Sequence, residues 1–96
     1  MHIITRKKIL EFAQKYSECS SALDGWYRTV KNAEFRNFAE LRNVFPSADQ
    51  VGGLTVFNIG GNKVRLIAAI HYNRQKLFIR EILTHKEYDK NKWKEL

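Results

Sequence analysis

Five side chains in the last third of this 96-residue chain could act on a phosphodiester without help from a metal ion: Arg65, Arg80, His85, Lys86 and Tyr88. Cutting RNA requires that a 2′-hydroxyl lose its proton, that the crowded phosphate be stabilised, and that the departing 5′-oxygen be protonated. Arginines clamp developing negative charge with paired donors. A histidine suits proton transfer near neutral pH, and a tyrosine can stack on a base, orient it, or share the acid-base work. RNA is the natural target because it carries its own nucleophile.

Other chemistries find little to work with. His2, His71 and His85 are widely separated, none lies in an HExxH or Cys/His cluster, and no carboxylates have calcium-loop spacing, so neither a metal site nor a cofactor is expected. The glycine pairs at 52/53 and 60/61 lack a following Lys-Ser/Thr and read as turns rather than a phosphate loop. Ser47 and Cys19 have no elbow-like context for a covalent nucleophile.

The elements that must position the five residues follow from periodicity. His2 to Thr5 reads as a short strand, and Ile9, Leu10, Phe12, Ala13 and Tyr16 share a helical stripe over Arg6 to Tyr16. After a polar break at Ser17 to Ser21, Leu23, Trp26, Tyr27 and Val30 recur at helical spacing. Phe35, Phe38, Leu41 and Val44 continue it until Pro46 stops the segment. Trp26, Tyr27, Phe35 and Phe38 are therefore expected in the core. Beyond Pro46 the pattern turns to strands: Leu54 to Ile59, a Gly60-Gly61-Asn62 turn, Lys63 to Ile70, a second turn at Tyr72 to Gln75, and Lys76 to Leu83, pairing as an antiparallel meander. The polar end from Lys86 to Leu96 reads as a short helix or a tail.

In the middle strand Val64, Leu66, Ala68 and Ile70 form one apolar face, while Lys63 and Arg65 share the other with Ile67 and Ala69. The apolar face should receive the helices, leaving Lys63 and Arg65 on an open face. In the last strand each face carries one charge, so the side taken by Arg80 stays open. The architecture expected is α+β: one small domain over 1–96, with an N-terminal strand and two to three helices on one face of a mainly antiparallel sheet.

Charge agrees with that placement. The chain carries 17 Lys+Arg against 10 Asp+Glu, a net +7, and residues 63–96 hold nine of the basic residues with only four acids. Such a footprint suits a polyphosphate partner, although it also suits solubility or an acidic protein partner. The longest apolar stretch, Leu66 to Ile70, is far too short for a membrane span. One cysteine and no signal pattern point to the cytoplasm.

Four stretches carry a family resemblance: Met1 to Thr5, Leu41 to Asp49, Val56 to Ile67 and above all Ile79 to Asp89, which reads Ile-Arg-Glu-Ile-Leu-Thr-His-Lys-Glu-Tyr-Asp. In that order they resemble the HigB toxins of bacterial type II toxin-antitoxin systems, within the RelE-like group. The resemblance implies an mRNA interferase that enters the A site of the 70S ribosome and cuts the message. It also implies a neighbouring helix-turn-helix antitoxin (HigA-like), operator DNA contacted only through the toxin-antitoxin complex, no membrane and no cofactor. By position, Arg65 matches the phosphate-contacting arginine, Tyr88 the C-terminal aromatic, and His85 with Lys86 the polar pair before it, where many RelE-like relatives have an arginine. The expected catalytic set is Arg65, Arg80, His85 and Tyr88, with Lys63, Lys86, Asn62 and Arg74 as RNA contacts. The alternative is a non-catalytic basic module that binds RNA or the ribosome.

Overall fold

A computed structural model describes residues 1–61 and 63–90. Asn62 and the tail beyond Lys90 lie outside the described residues. The strands are β1 (His2–Ile4), β2 (Asp49–Val51), β3 (Leu54–Ile59), β4 (Val64–His71) and β5 (Lys76–Thr84). The helices are α1 (Arg6–Lys15), α2 (Ser20–Lys31), α3 (Phe38–Val44) and α4 (His85–Asp89).

The sheet runs β1-β5-β4-β3-β2, with β1 parallel to β5 and the other pairs antiparallel, which makes it the small α+β sheet expected. β2 is a short edge strand that residue alternation does not signal. Its Asp49 and Gln50 are exposed, and its pairing rests on the Gly52-Gly53 hairpin, where Gly52 takes a φ of +62° closed to most side chains.

Helix α2 buries Leu23, Trp26 and Val30, a spacing of three and four that keeps them on one face. α3 begins later than periodicity suggests. Phe35 is buried but lies in a non-helical approach, and the helix starts after Asn37, whose Oδ1 accepts from the Glu40 amide at 2.9 Å. A capping asparagine outweighs an apolar period because it satisfies an amide that the first turn would otherwise leave unpaired. Gln75, in the left-handed region at φ 52°, donates from Nε2 to the carbonyls of Phe35 and Tyr72, both at 2.8 Å, and so ties that approach to the β4–β5 turn.

Val64, Leu66 and Ala68 join Leu77, Ile79 and Ile82 beneath the helices, with Phe57 packed edge-on against Trp26 and Phe45. Each fully buried large side chain here contributes about 1.5–3 kcal/mol. The opposite face carries a smaller cluster of Val56 and Ile67, with Val51, Leu54, Leu83 and Tyr88 packed against it.

Cross-strand pairing places Arg65 opposite Leu83, Ile67 opposite Glu81 and Ala68 opposite Ile79, so Arg80 is the extra residue of a β-bulge with no partner across the ladder. The bulge explains why strict alternation fails in β5, where Leu77, Ile79 and Ile82 all face the main core.

Candidate active site

Strand β4 sets Arg65 on the face away from the main core, one residue after Val64 on the face toward it. The expectation that Arg65 projects into solvent is corrected: the residue is only 7% exposed. What covers it is α4, not the helices of the main core. The guanidinium carbon lies 5.6 Å from the centroid of the Tyr88 ring, and Arg65 Nη2 donates to His85 Nδ1 at 2.9 Å. Nη1 lies 3.4 Å from the Val64 carbonyl. Among the described residues Arg65 forms no ion pair with a carboxylate. A buried cation facing only neutral partners is costly, and the cost falls when an anion arrives.

α4 holds its place through local chemistry. Thr84 Oγ1 accepts from the Glu87 amide at 3.2 Å while Glu87 Oε1 accepts from the Thr84 amide at 3.0 Å, a reciprocal capping box. The His85 amide donates to the Lys63 carbonyl at 3.0 Å, anchoring the helix to the end of the β3–β4 hairpin. The Thr84 backbone hydrogen bond, more than any other influence, holds the Glu87 carboxyl below its usual range.

Two ring nitrogens, two partners: a guanidinium can only donate, so His85 Nδ1 must accept and the ring proton belongs on Nε2. That Nε2 lies 3.2 Å from Asp89 Oδ2, four residues further along α4. Burial pushes the Tyr88 phenol up, and the Asp49 carboxylate adds to this while Arg65 opposes it. The phenol therefore stays protonated near neutral pH.

Of the residues expected from sequence, Arg65, His85 and Tyr88 meet in one place. Lys63 is exposed at the hairpin end beside them, and Lys86 is exposed on α4. Arg80 is exposed and lines a depression with Ile4, Thr5, Ala69, His71 and Phe78, roughly 10 Å along β5 from the Arg65–Leu83 pair. The face left open by the sequence pattern is thus decided by the bulge, and it sets Arg80 apart from the other three. Arg74 lies in the turn at the other end of β4, roughly 20 Å from Arg65, and does not belong to the cluster. Asp89 joins the cluster beyond the residues expected from sequence, and its i,i+4 spacing from His85 carries the signal only where those residues are helical.

Comparison with known proteins finds relatives along most of the chain. The chain is 40% identical over 92 residues to the mRNA interferase toxin HigB of Escherichia coli (strain K12), covering 93% of this chain and 88% of that protein. The same figures hold for mRNA interferase HigB of Shigella flexneri. An mRNA interferase HigB of Escherichia coli O6:H1 is 37% identical over 93 residues, covering 94% of this chain and 90% of its own. Residues 19–91, which include Arg65, His85, Tyr88 and Asp89, match a family described as the RelE-like toxic component of a toxin-antitoxin system. With that match across most of its length, this chain belongs to the HigB toxin family.

Proposed function

We propose that this toxin is an endoribonuclease that cuts messenger RNA in the ribosomal A site by 2′-hydroxyl attack, with side chains supplying the catalysis. The observation that carries the reading is Arg65: a residue 7% exposed, its guanidinium without a carboxylate partner among the described residues and set between a histidine and a tyrosine. The names of its relatives, mRNA interferases, point the same way.

Arg65 takes the scissile phosphate and stabilises the charge that builds on its non-bridging oxygens. His85 exchanges a proton with the reacting oxygens. Tyr88, its phenol protonated, stacks on or orients a base. Lys63 and Lys86 hold the flanking backbone, as does Asn62, which lies outside the described residues. Arg80 contacts RNA from its separate position on the bulge. A site whose charge clamp is covered by α4 until RNA arrives depends on the ribosome to order the message and align the 2′-hydroxyl with the phosphate. The partners are the 70S ribosome, mRNA and a HigA-like helix-turn-helix antitoxin in the cytoplasm, with operator DNA reached only through the toxin-antitoxin complex. No described helix is long and apolar enough to cross a membrane.

Purified toxin with programmed ribosomes tests the reading. The expected products end in a 2′,3′-cyclic phosphate or 3′-phosphate, with a 5′-hydroxyl on the downstream fragment. Messages protected but left intact would make the protein a binder instead. Expression without antitoxin should stop growth, and normal growth with folded protein present would count against the proposal.

A further inference from the structure

The same two contacts that fix His85 also take both of its ring nitrogens. Nδ1 accepts from Arg65 at 2.9 Å and Nε2 lies 3.2 Å from the Asp89 carboxylate. In this arrangement the ring has no free lone pair with which to take a proton. Arg65 is the group an RNA phosphate would claim, and a guanidinium turned toward phosphate oxygens releases Nδ1. We propose that Asp89 is a positioning residue: it holds His85 by Nε2 with Nδ1 turned to the sheet, so that capture of Arg65 by a phosphodiester unmasks a base already aimed at the scissile linkage. This rests on the ribonuclease reading above and adds to it the source of the base and the trigger that frees it.

The step balances. The O2′–H bond breaks and its proton passes to His85 Nδ1, making an imidazolium whose Nε2–H still points at Asp89. The O2′–P bond forms and the P–O5′ bond breaks, leaving a 2′,3′-cyclic phosphate, while the 5′-oxygen takes a proton from water and the hydroxide left is neutralised by the imidazolium proton, restoring the ring. Asp89 touches neither RNA nor the reacting atoms. Its carboxylate steadies the ring before the transfer and offsets the ring's charge after it, the division of labour seen wherever a carboxylate backs a histidine base. The placement is local: His85 and Asp89 face each other across one turn of α4, and the Thr84–Glu87 box keeps that turn wound.

Two measurements test it. In the Arg65→Ala protein, ring 15N shifts of His85 should report one neutral tautomer, protonated on Nε2, because Asp89 still holds that nitrogen. In Arg65→Ala/Asp89→Ala the shifts should move toward the averaged values of a free imidazole. Identical shifts in the two proteins overturn the proposal. On programmed ribosomes, Asp89→Ala should lower the saturated cleavage rate about 10- to 100-fold with the apparent KM little changed, and Asp89→Glu should recover much of it. Full-rate cutting by Asp89→Ala, or a loss confined to KM, overturns it too. Wild-type toxin that cuts nothing would sink the ribonuclease reading, while the tautomer measurement would still report whether Asp89 grips the ring.

Discussion

Replacing Arg65 with methionine separates what the residue does for the fold from what it does for chemistry. The residue is 7% exposed, its guanidinium set against Val64 O, His85 and the Tyr88 ring, with no carboxylate to offset its charge among the described residues. Methionine has a similar reach and would extend the neighbouring apolar group of Ile67, Leu83 and Tyr88. Exchanging a poorly compensated buried charge for a well-packed apolar side chain is neutral or stabilising, by as much as about 1–4 kcal/mol. The partner left behind costs little, because the His85 side chain is 51% exposed and water can replace the lost donor. A gain of about 1 kcal/mol raises the melting temperature of a domain this size by about 4–8 °C. Loss of the clamp, by contrast, should lower cleavage at least about 100-fold. Thermal unfolding followed by circular dichroism, set beside cleavage on programmed ribosomes, reads both. Arg65→Met should be at least as stable as the wild type and should not arrest growth. A fall in stability of about 2 kcal/mol or more would show that Arg65 holds the fold together, and full activity would remove it from the mechanism.

Tyr88→Phe should keep most activity, since the phenol is protonated and the ring provides the stacking, whereas Tyr88→Ala should lose about 10-fold or more; equal loss in both would assign the chemistry to the hydroxyl. Thr84→Ala removes a cap from a five-residue helix, weakening α4 by about 1 kcal/mol, and should reduce cleavage with little change in global melting. Because the Glu87 carboxyl is held below its ordinary range, its contribution is complete above that range and disappears as pH falls through the lowered value. Amide exchange in α4 should accordingly speed up in acid before the main core loosens, and Glu87→Gln should weaken that dependence. Arg74→Ala should leave cleavage within about twofold, while Arg80→Ala should weaken RNA engagement modestly, and a reversed order would relocate the RNA path.

Much of this was legible before any coordinates. The two-residue period of β4 separates Arg65 from the main core, and the helical spacing of Leu23, Trp26 and Val30 identifies the face that covers it. The Gly-Gly-Asn-Lys hairpin and the Thr-His-Lys-Glu-Tyr-Asp run together point to the family. Three features were not legible, each for a physical reason. The bulge at Arg80 is an irregularity in pairing between two strands, and no pattern within one strand contains it. Phe35 keeps the apolar period of a helix that does not include it, because the cap at Asn37 decides where the helix begins. The covering of Arg65 depends on a tertiary turn of α4 back over β4, held by a hydrogen bond from His85 to the Lys63 carbonyl.

The sheet keeps its two apolar populations on opposite sides, one sealed by α1, α2 and α3 and the other a small patch beside Arg65 and His85. A lineage can therefore retool, blunt or abandon the blade without disturbing the handle. An exchange of one side chain on the patch leaves the main core, with Phe57 and Leu66 at its centre, as tightly filled as before.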